Sequence, residues 1–305
     1  VLKAGKPLVW TMHDIWPATA ICHITLDCRK FETQCEKCRL LPFPFGCDLA
    51  KRTWRRKEQI KGHSHIIYIT CSKWLQNEAK KSALIGKNII ESIPNPIDSN
   101  IFCRTNKNEA RKKLGLPADK RLILFASQRV TNHNKGMGYL VDACQKMVRQ
   151  HPETLTNTAV VVLGGHAEEL CNDFELPMFP LGYVADTQQI VDVYNAVDVF
   201  VTPSLSDNLP NTIMEAMACG IPCVGFEVGG IPEMIDHKRN GYIVELKNSA
   251  DLANGIYWVL NIADYDKLSA DAIKKVKENY SQARVAAQYI DIYKKALANS
   301  NNKQI

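Results

Sequence analysis

The sequence predicts an α/β fold of the doubly wound type, in which helices cover parallel sheets. Two features carry that reading. Apolar runs such as Ala159-Val160-Val161-Val162-Leu163 are unbroken instead of alternating, which marks strands covered on both faces. Segments of helical periodicity lie between them, so strand and helix alternate from one end of the chain to the other.

Taken in order, strands are expected at residues 8–12, 66–71, 89–93, 122–126, 159–163, 178–181, 197–202, 222–226 and 241–244. A helix is expected over 136–150. Another spans 187–196, capped by Asp186, with Ile190, Val191, Tyr194 and Val197 on one face. A third runs over 211–219 and stops at Gly220. Three long helical patterns close the chain, the last with Val285, Tyr289, Ile292, Tyr293 and Ala296 on its apolar stripe. Pro94-Asn95-Pro96-Ile97-Asp98 cannot continue a strand and reads as a join, followed by a short charged helix at 106–114. The expected organisation is a partial first domain over 1–98, a complete sheet domain over 99–280, and a closing helix over 281–305 that packs back on the first domain. The chain starts at Val1 and enters a strand almost at once, so the first domain is expected to be truncated, its early strands lying upstream.

With 46% hydrophobic and 23% charged residues, and only 14 Pro and 16 Gly among 305, the chain is neither disordered nor fibrous. No apolar run approaches the ~18 residues of a membrane span. The net charge of +6 is uneven: residues 1–98 hold 16 Lys and Arg against 9 Asp and Glu, and the remainder 22 against 23. Such a bias suits nucleic acid, an anionic membrane or a phosphorylated substrate. The basic run at 51–61 contains Trp54 and suggests a helix lying on an anionic surface; a solvated helix is the plainer alternative. Beyond Trp54 no aromatics interleave with the basic residues, which argues against a nucleic-acid-binding module.

Eleven cysteines cannot all pair within one chain, and six stand singly (Cys71, Cys103, Cys144, Cys171, Cys219, Cys223), in keeping with a reduced, cytoplasmic setting. The rest crowd into 22–47. Cys22-x5-Cys28-x6-Cys35-x2-Cys38, with His23 and Cys47 nearby, has the spacing of a tetrahedral zinc site of structural type; a redox pair or unpaired surface thiols are the alternatives.

Two loops at expected strand ends carry chemistry. Residues 203–220 follow a buried strand, turn, and open a helix whose free N–H groups favour an anion; Asp207 precedes that helix and Glu215 lies about a turn inside it. Arg129 and Lys135 flank the polar loop after the first strand of the second sheet, where two cations can neutralise a pyrophosphate without a metal. Helix capping and a solvated basic loop are the plainer readings of each.

Together these segments resemble the retaining glycosyltransferases of family 4 (glycosyl transferases group 1), including bacterial members with a Cys-rich insertion. The resemblance runs through Leu181-Gly182-Tyr183-Val184, the segments at 194–199 and 225–233, Ile93-Pro94-Asn95-Pro96-Ile97-Asp98, and Met12-His13-Asp14. It implies the GT-B fold, two Rossmann-like domains facing a cleft. The family's Glu-x7-Glu appears as Asp207-x7-Glu215, its first acid one methylene shorter. Position by position, the resemblance implies that Glu215 holds the donor's ribose hydroxyls and that Asp207 contacts the donor sugar. Arg129 and Lys135 would clamp the diphosphate, and backbone groups near Tyr183 and Val184 would meet the base. Amides around Asn208, Leu209, Asn211 and Thr212 would touch sugar or phosphate, and His13 would face the transferred sugar. The implied function is hexosyl transfer with retention, without an obligatory metal, from a nucleotide-diphosphate sugar (a UDP-sugar favoured). The acceptor would be a glycan or lipid-linked molecule in cell-surface polysaccharide synthesis, on the inner face of the plasma membrane. An epimerase-like enzyme of the same fold and an inactive nucleotide-sugar-binding fragment are the alternatives.

Overall fold

The computed structural model describes residues 6–41, 48–61, 63 and 66–301. The chain forms two compact units, Val1–Asn95 with Ala283–Ile305, and Pro96–Gln282. The division falls within the turn at residues 94–98, just before Pro96 instead of after Asp98, and the returning helix joins the first unit from Ala283 instead of residue 281.

In the first unit, β1 (Leu8–Met12) leads into a long segment with only two single-turn 3-10 helices, Trp16–Ala18 and Lys30–Glu32, among its described residues. Then come α1 (Leu49–Lys57), β2 (Ile66–Thr70), α2 (Lys73–Lys80) and β3 (Ile89–Ser92). The sheet is parallel in the order β1-β2-β3, and β2, at its centre, is buried along its whole length. Its two faces serve different partners. Ile66 and Tyr68 join a cluster with Ile15, Phe31, Cys35 and Trp54, while Ile67 and Ile69 meet Val285, Ile292 and Ala296 of the last helix, Gln282–Asn301. That helix buries most of its expected stripe, but Tyr293 is 51% exposed.

Trp54 departs from the surface role drawn for it. It is fully buried, whereas Arg52, Arg55 and Arg56 of α1 are exposed. Trp54 is therefore not available to a bilayer. The apolar stripe of α1 is just Ala50 and Trp54, set within a strongly cationic sequence, and it faces the core. No helix among the described residues is long and apolar enough to cross a membrane.

The second unit runs α3 (Lys107–Leu114), β4 (Arg121–Arg129), α4 (Met137–Gln150), α5 (Thr154–Asn157), β5 (Thr158–Gly165), β6 (Met178–Gly182) and α6 (Thr187–Ala196). It continues with β7 (Val199–Thr202), α7 (Asn211–Ala218), β8 (Cys223–Phe226), α8 (Ile231–Met234), β9 (Gly241–Val244), α9 (Ser249–Tyr257) and α10 (Tyr265–Asn279). Its six-stranded sheet is parallel throughout, in the order β6-β5-β4-β7-β8-β9. The largely apolar strands β5, β7 and β8 are buried on both faces, as their apolar runs require.

Two details set the site's frame. β4 extends beyond the expected residue 126 to Arg129, through a register shift between Ala126 and Arg129. Strand order also reverses between β4 and β7: successive strands lead away from β4 on one side and away from β7 on the other. In sheets of this kind a crevice opens at that reversal, outside the carboxyl ends of the strands. At the opposite end, Asp198 accepts from Arg111 Nη2 (2.7 Å), Lys107 Nζ (2.7 Å) and Leu122 N (2.7 Å), pinning α3 beneath the start of β7.

Candidate functional site

Three loops leave the carboxyl ends of β4, β7 and β8 and lock together by backbone. Gly136, in the left-handed region at φ +74°, presses on the chain after β7 so closely that a Cβ there would lie 1.8 Å from the Pro203 carbonyl oxygen. Leu205 N donates to Asn134 O and Asn134 Nδ2 to Ser206 O, both at 2.8 Å. On the other side Gly229, at φ +61°, abuts Asp207, where a Cβ would lie 1.7 Å from its carbonyl oxygen. Only glycine satisfies both the φ and the approach at these two positions. Asp207 is thus clasped between the loops after β4 and β8.

The structure brings Lys135 and Asp207 together. Lys135 Nζ donates to Asp207 Oδ2 at 2.6 Å, with side-chain exposures of 33% and 16%. Asn208 N donates to the other carboxylate oxygen at 3.1 Å. Arg129 stands exposed at the end of β4, its Nε donating to Thr131 Oγ1 at 3.1 Å. α7 begins behind Pro210, which supplies no side-chain cap. Leu209 is buried, so its backbone is what it offers the crevice, while Asn211 is exposed and Thr212 half-buried.

Glu215 sits deeper, on α7. Burial raises its carboxyl above the usual carboxylate range, partly offset by the Tyr194 hydroxyl, which donates to Oε2 at 2.8 Å. Tyr194 is itself fully buried on α6, with its phenol held far from ionising by burial and by the Glu215 charge. The result is one carboxylate with a fixed orientation and a free oxygen.

Of the other expected residues, Tyr183 is 65% exposed and Val184 half-buried, just past β6. His13 belongs to the first unit, exposed immediately after β1. Cys22, Cys28, Cys35 and Cys38 line one cavity of about 230 Å³ in the first unit, and all four are free thiols. Burial, reinforced by the other three thiols, pushes Cys22 up to about 11. As the side chains lie, no three His, Cys, Asp or Glu among the described residues form a ready-made ion site. Cys47 lies outside the described residues.

Sequence reasoning missed the residues that hold the site together. Asn134, Gly136 and Gly229 fix the loops, and Tyr194 fixes Glu215. Tyr194 was legible only as one apolar position of a helix. The signal available was chemical: a tyrosine on a buried face needs a partner for its hydroxyl.

Residues 120–261 match the family described as Glycosyl transferases group 1. The match lies within the second unit, and the chain has the GT-B fold. Among curated proteins, an uncharacterized glycosyltransferase of Methanocaldococcus jannaschii is 31% identical over 249 residues, 79% of this chain and 63% of that protein. The N-acetyl-alpha-D-glucosaminyl L-malate synthase of Bacillus anthracis is 23% identical over 71% of this chain and 56% of that protein. The chain thus spans between about half and about three-fifths of the length of such relatives. Among solved structures, the sucrose-phosphate synthase of Thermosynechococcus elongatus superposes with a TM-score of 0.72 at 21% identity, over 96% of this chain and 68% of that one. HepE of Anabaena, solved in complex with UDP, gives 0.71 at 20% identity, over 96% and 73%.

Proposed function

We propose that the chain moves a hexose, with retention, from a nucleotide-diphosphate sugar to a glycan or lipid-linked acceptor in cell-surface polysaccharide synthesis. The observation that carries the reading is the Lys135–Asp207 pair held at the strand reversal, with the Tyr194-oriented Glu215 behind it. Glu215 accepts from the ribose hydroxyls through its free oxygen. Asp207 receives a sugar hydroxyl. Lys135, bonded to Asp207, takes the diphosphate, and Arg129 and the uncapped start of α7 add positive potential beside it. Backbone groups near Tyr183 and Val184 meet the base. A uridine donor is favoured, because solved HepE complexes contain UDP and UDP-glucose.

In the transfer the bond from the anomeric carbon to the phosphate oxygen breaks, and its electron pair stays on the nucleoside diphosphate. Lys135 and Arg129 stabilise that charge. The acceptor hydroxyl adds to the same face of the sugar, and its proton passes to the departing phosphate oxygen. His13 faces the transferred sugar. No metal is assigned to this step. An inner-membrane-surface location rests on the exposed Arg52, Arg55 and Arg56; flotation with liposomes tests it, and binding that ignores anionic lipid content removes it.

The test is release of nucleoside diphosphate from a panel of nucleotide sugars, with and without acceptors, beside titration calorimetry of the donors. Release that needs both substrates is expected. Donor turnover without an acceptor assigns an epimerase instead, binding without turnover an inactive carrier, and no heat from any donor removes the reading altogether.

A further inference from the structure

The first unit contains a second site that sugar transfer does not use. Between β1 and α1, the described residues 13–41 hold almost no regular structure, yet Ile15, Ala18, Ala20, Phe31 and Cys35 are buried along the way. Loops beyond about 12–15 residues without secondary structure of their own are uncommon unless something holds them. What this segment has in its middle is four thiols on one cavity, those of Cys22, Cys28, Cys35 and Cys38.

The backbone delivers three of them, Cys28, Cys35 and Cys38, in two tight turns. In one, Cys28 N donates to Thr25 O at 2.9 Å, with Leu26 in the left-handed region at φ 50°. In the other, Cys35-Glu36-Lys37-Cys38 turns at Lys37, φ 45°, and Leu41 N donates to Cys38 O at 3.2 Å. Lys30 Nζ clamps this second turn by donating to Glu36 O (3.0 Å) and Lys37 O (3.1 Å). The Cys22 thiol is within hydrogen-bond reach of Cys38, and the Cys35 sulfur accepts from Ala20 N. An amide directed at a sulfur is what supports a metal-bound thiolate from outside its ligand shell. Arg29, Lys30 and Arg39 also line the cavity. Four thiolates around a divalent cation carry a net charge of −2; Arg29 is paired with Glu32 and Glu78 and Arg39 with Asp27, and Lys30, bonded to the carbonyls of the second turn, is placed to offset part of it.

We propose that Cys22, Cys28, Cys35 and Cys38 together bind one zinc ion as a tetrahedral four-thiolate site that staples residues 13–41 onto the first unit. On binding, four S–H groups give up their protons to solvent and four S–Zn bonds form, with no change of oxidation state. Protonated thiols gain nothing by converging; the cation draws the sulfurs in to about 2.3 Å from the metal. Zinc fits this all-sulfur, closed donor set better than magnesium or calcium, which take oxygen. The site has no ligand position left over for a substrate, so its role is structural.

The whole chain, purified under reducing conditions without chelator, is expected to carry about one zinc by elemental analysis and native mass spectrometry. Cobalt(II) in its place should give the intense sulfur-to-metal absorption of a tetrahedral thiolate site. Thiol titration of the native chain should find those four cysteines protected until a chelator is added. Cys28→Ser and Cys38→Ser should each lower bound zinc at least tenfold, while Cys171→Ser, at an exposed thiol outside the cavity, leaves it unchanged. Should the variants not fold, the wild-type measurements decide alone. Less than about 0.2 zinc per chain, or disulfides between these cysteines in protein prepared without oxidant, overturns the proposal.

Discussion

The two sheets of this molecule organise their carboxyl ends in opposite ways. In the second unit the loops after β4, β7 and β8 are short, and they hold one another by backbone hydrogen bonds and by two glycine approaches that admit no side chain. In the first unit the described chain after β1 runs long and irregular, and side chains tie it: Asp14 to Trp16 N and His23, and Lys57 to Trp16 O and Thr19 O. Backbone interlocks place polar groups within narrow limits and cost no side-chain entropy. Side-chain ties are adjustable, each is individually weak, and several are needed together. Nucleotide chemistry, in which charge develops at one phosphate oxygen, calls for the first kind of construction.

The largest effect expected from that contrast is chemical. Lys135→Ala should lower kcat/KM for transfer about 100- to 1000-fold while the fold is kept, since Lys135 acts from an interlocked loop onto a developing charge. A variant with the wild-type rate would remove the diphosphate clamp. Next comes the interlock itself. Gly229→Ala should cost about 3 kcal/mol in urea unfolding, because its Cβ meets the Asp207 carbonyl oxygen as well as a positive φ. Gly115→Ala, also at positive φ (+65°) but with nothing within 4 Å, should cost about 1 kcal/mol. Equal costs at the two positions would mean that φ alone matters and that the loops are not locked.

A smaller effect concerns Glu215. Its carboxyl keeps its proton to higher pH when folded than when unfolded, so stability is greatest below the ordinary carboxylate range and declines as pH rises through the raised value. Glu215→Gln escapes that decline, and its stability relative to wild type should improve as pH rises above the ordinary carboxylate range even as donor binding weakens. Tyr194→Phe removes the bond that counteracts the rise, steepening the decline and costing about 1.5 kcal/mol at neutral pH. Denaturation curves collected across pH check both. The smallest effect belongs to the first unit: Asp14→Asn, at a half-exposed tie, should change stability by about 0.5 kcal/mol. A loss several times larger would show this segment to be as rigidly built as the loops of the second unit.

Much of the strand pattern was legible. Strands β1 and β9 match their expected spans, and most others differ by a residue or two, because buried parallel strands are written as continuous apolar runs. Asp207, Glu215, Arg129 and Lys135 were legible as groups at strand ends. Their relations were not. That Lys135 bonds Asp207 depends on β4 and β7 lying side by side, which no local spacing states. Trp54 was misplaced for a related reason: the charge around it in sequence outweighed the one face it presents to the core. Tyr293 erred the other way, an apolar-stripe position left in solvent because only three residues of the stripe, Val285, Ile292 and Ala296, reach full burial in the cluster with β2.

Residue order along the chain was enough to establish which segments are strands and helices, where polar loops leave the sheet, and that four cysteines share a short stretch. Hydrophobic period, capping and spacing are local properties, carried within a dozen or so residues. The pairing of Lys135 with Asp207 and the setting of Glu215 by Tyr194 arise from packing between segments tens of residues apart. That packing follows from strand order and burial, and these are settled only when the whole chain closes on its cores.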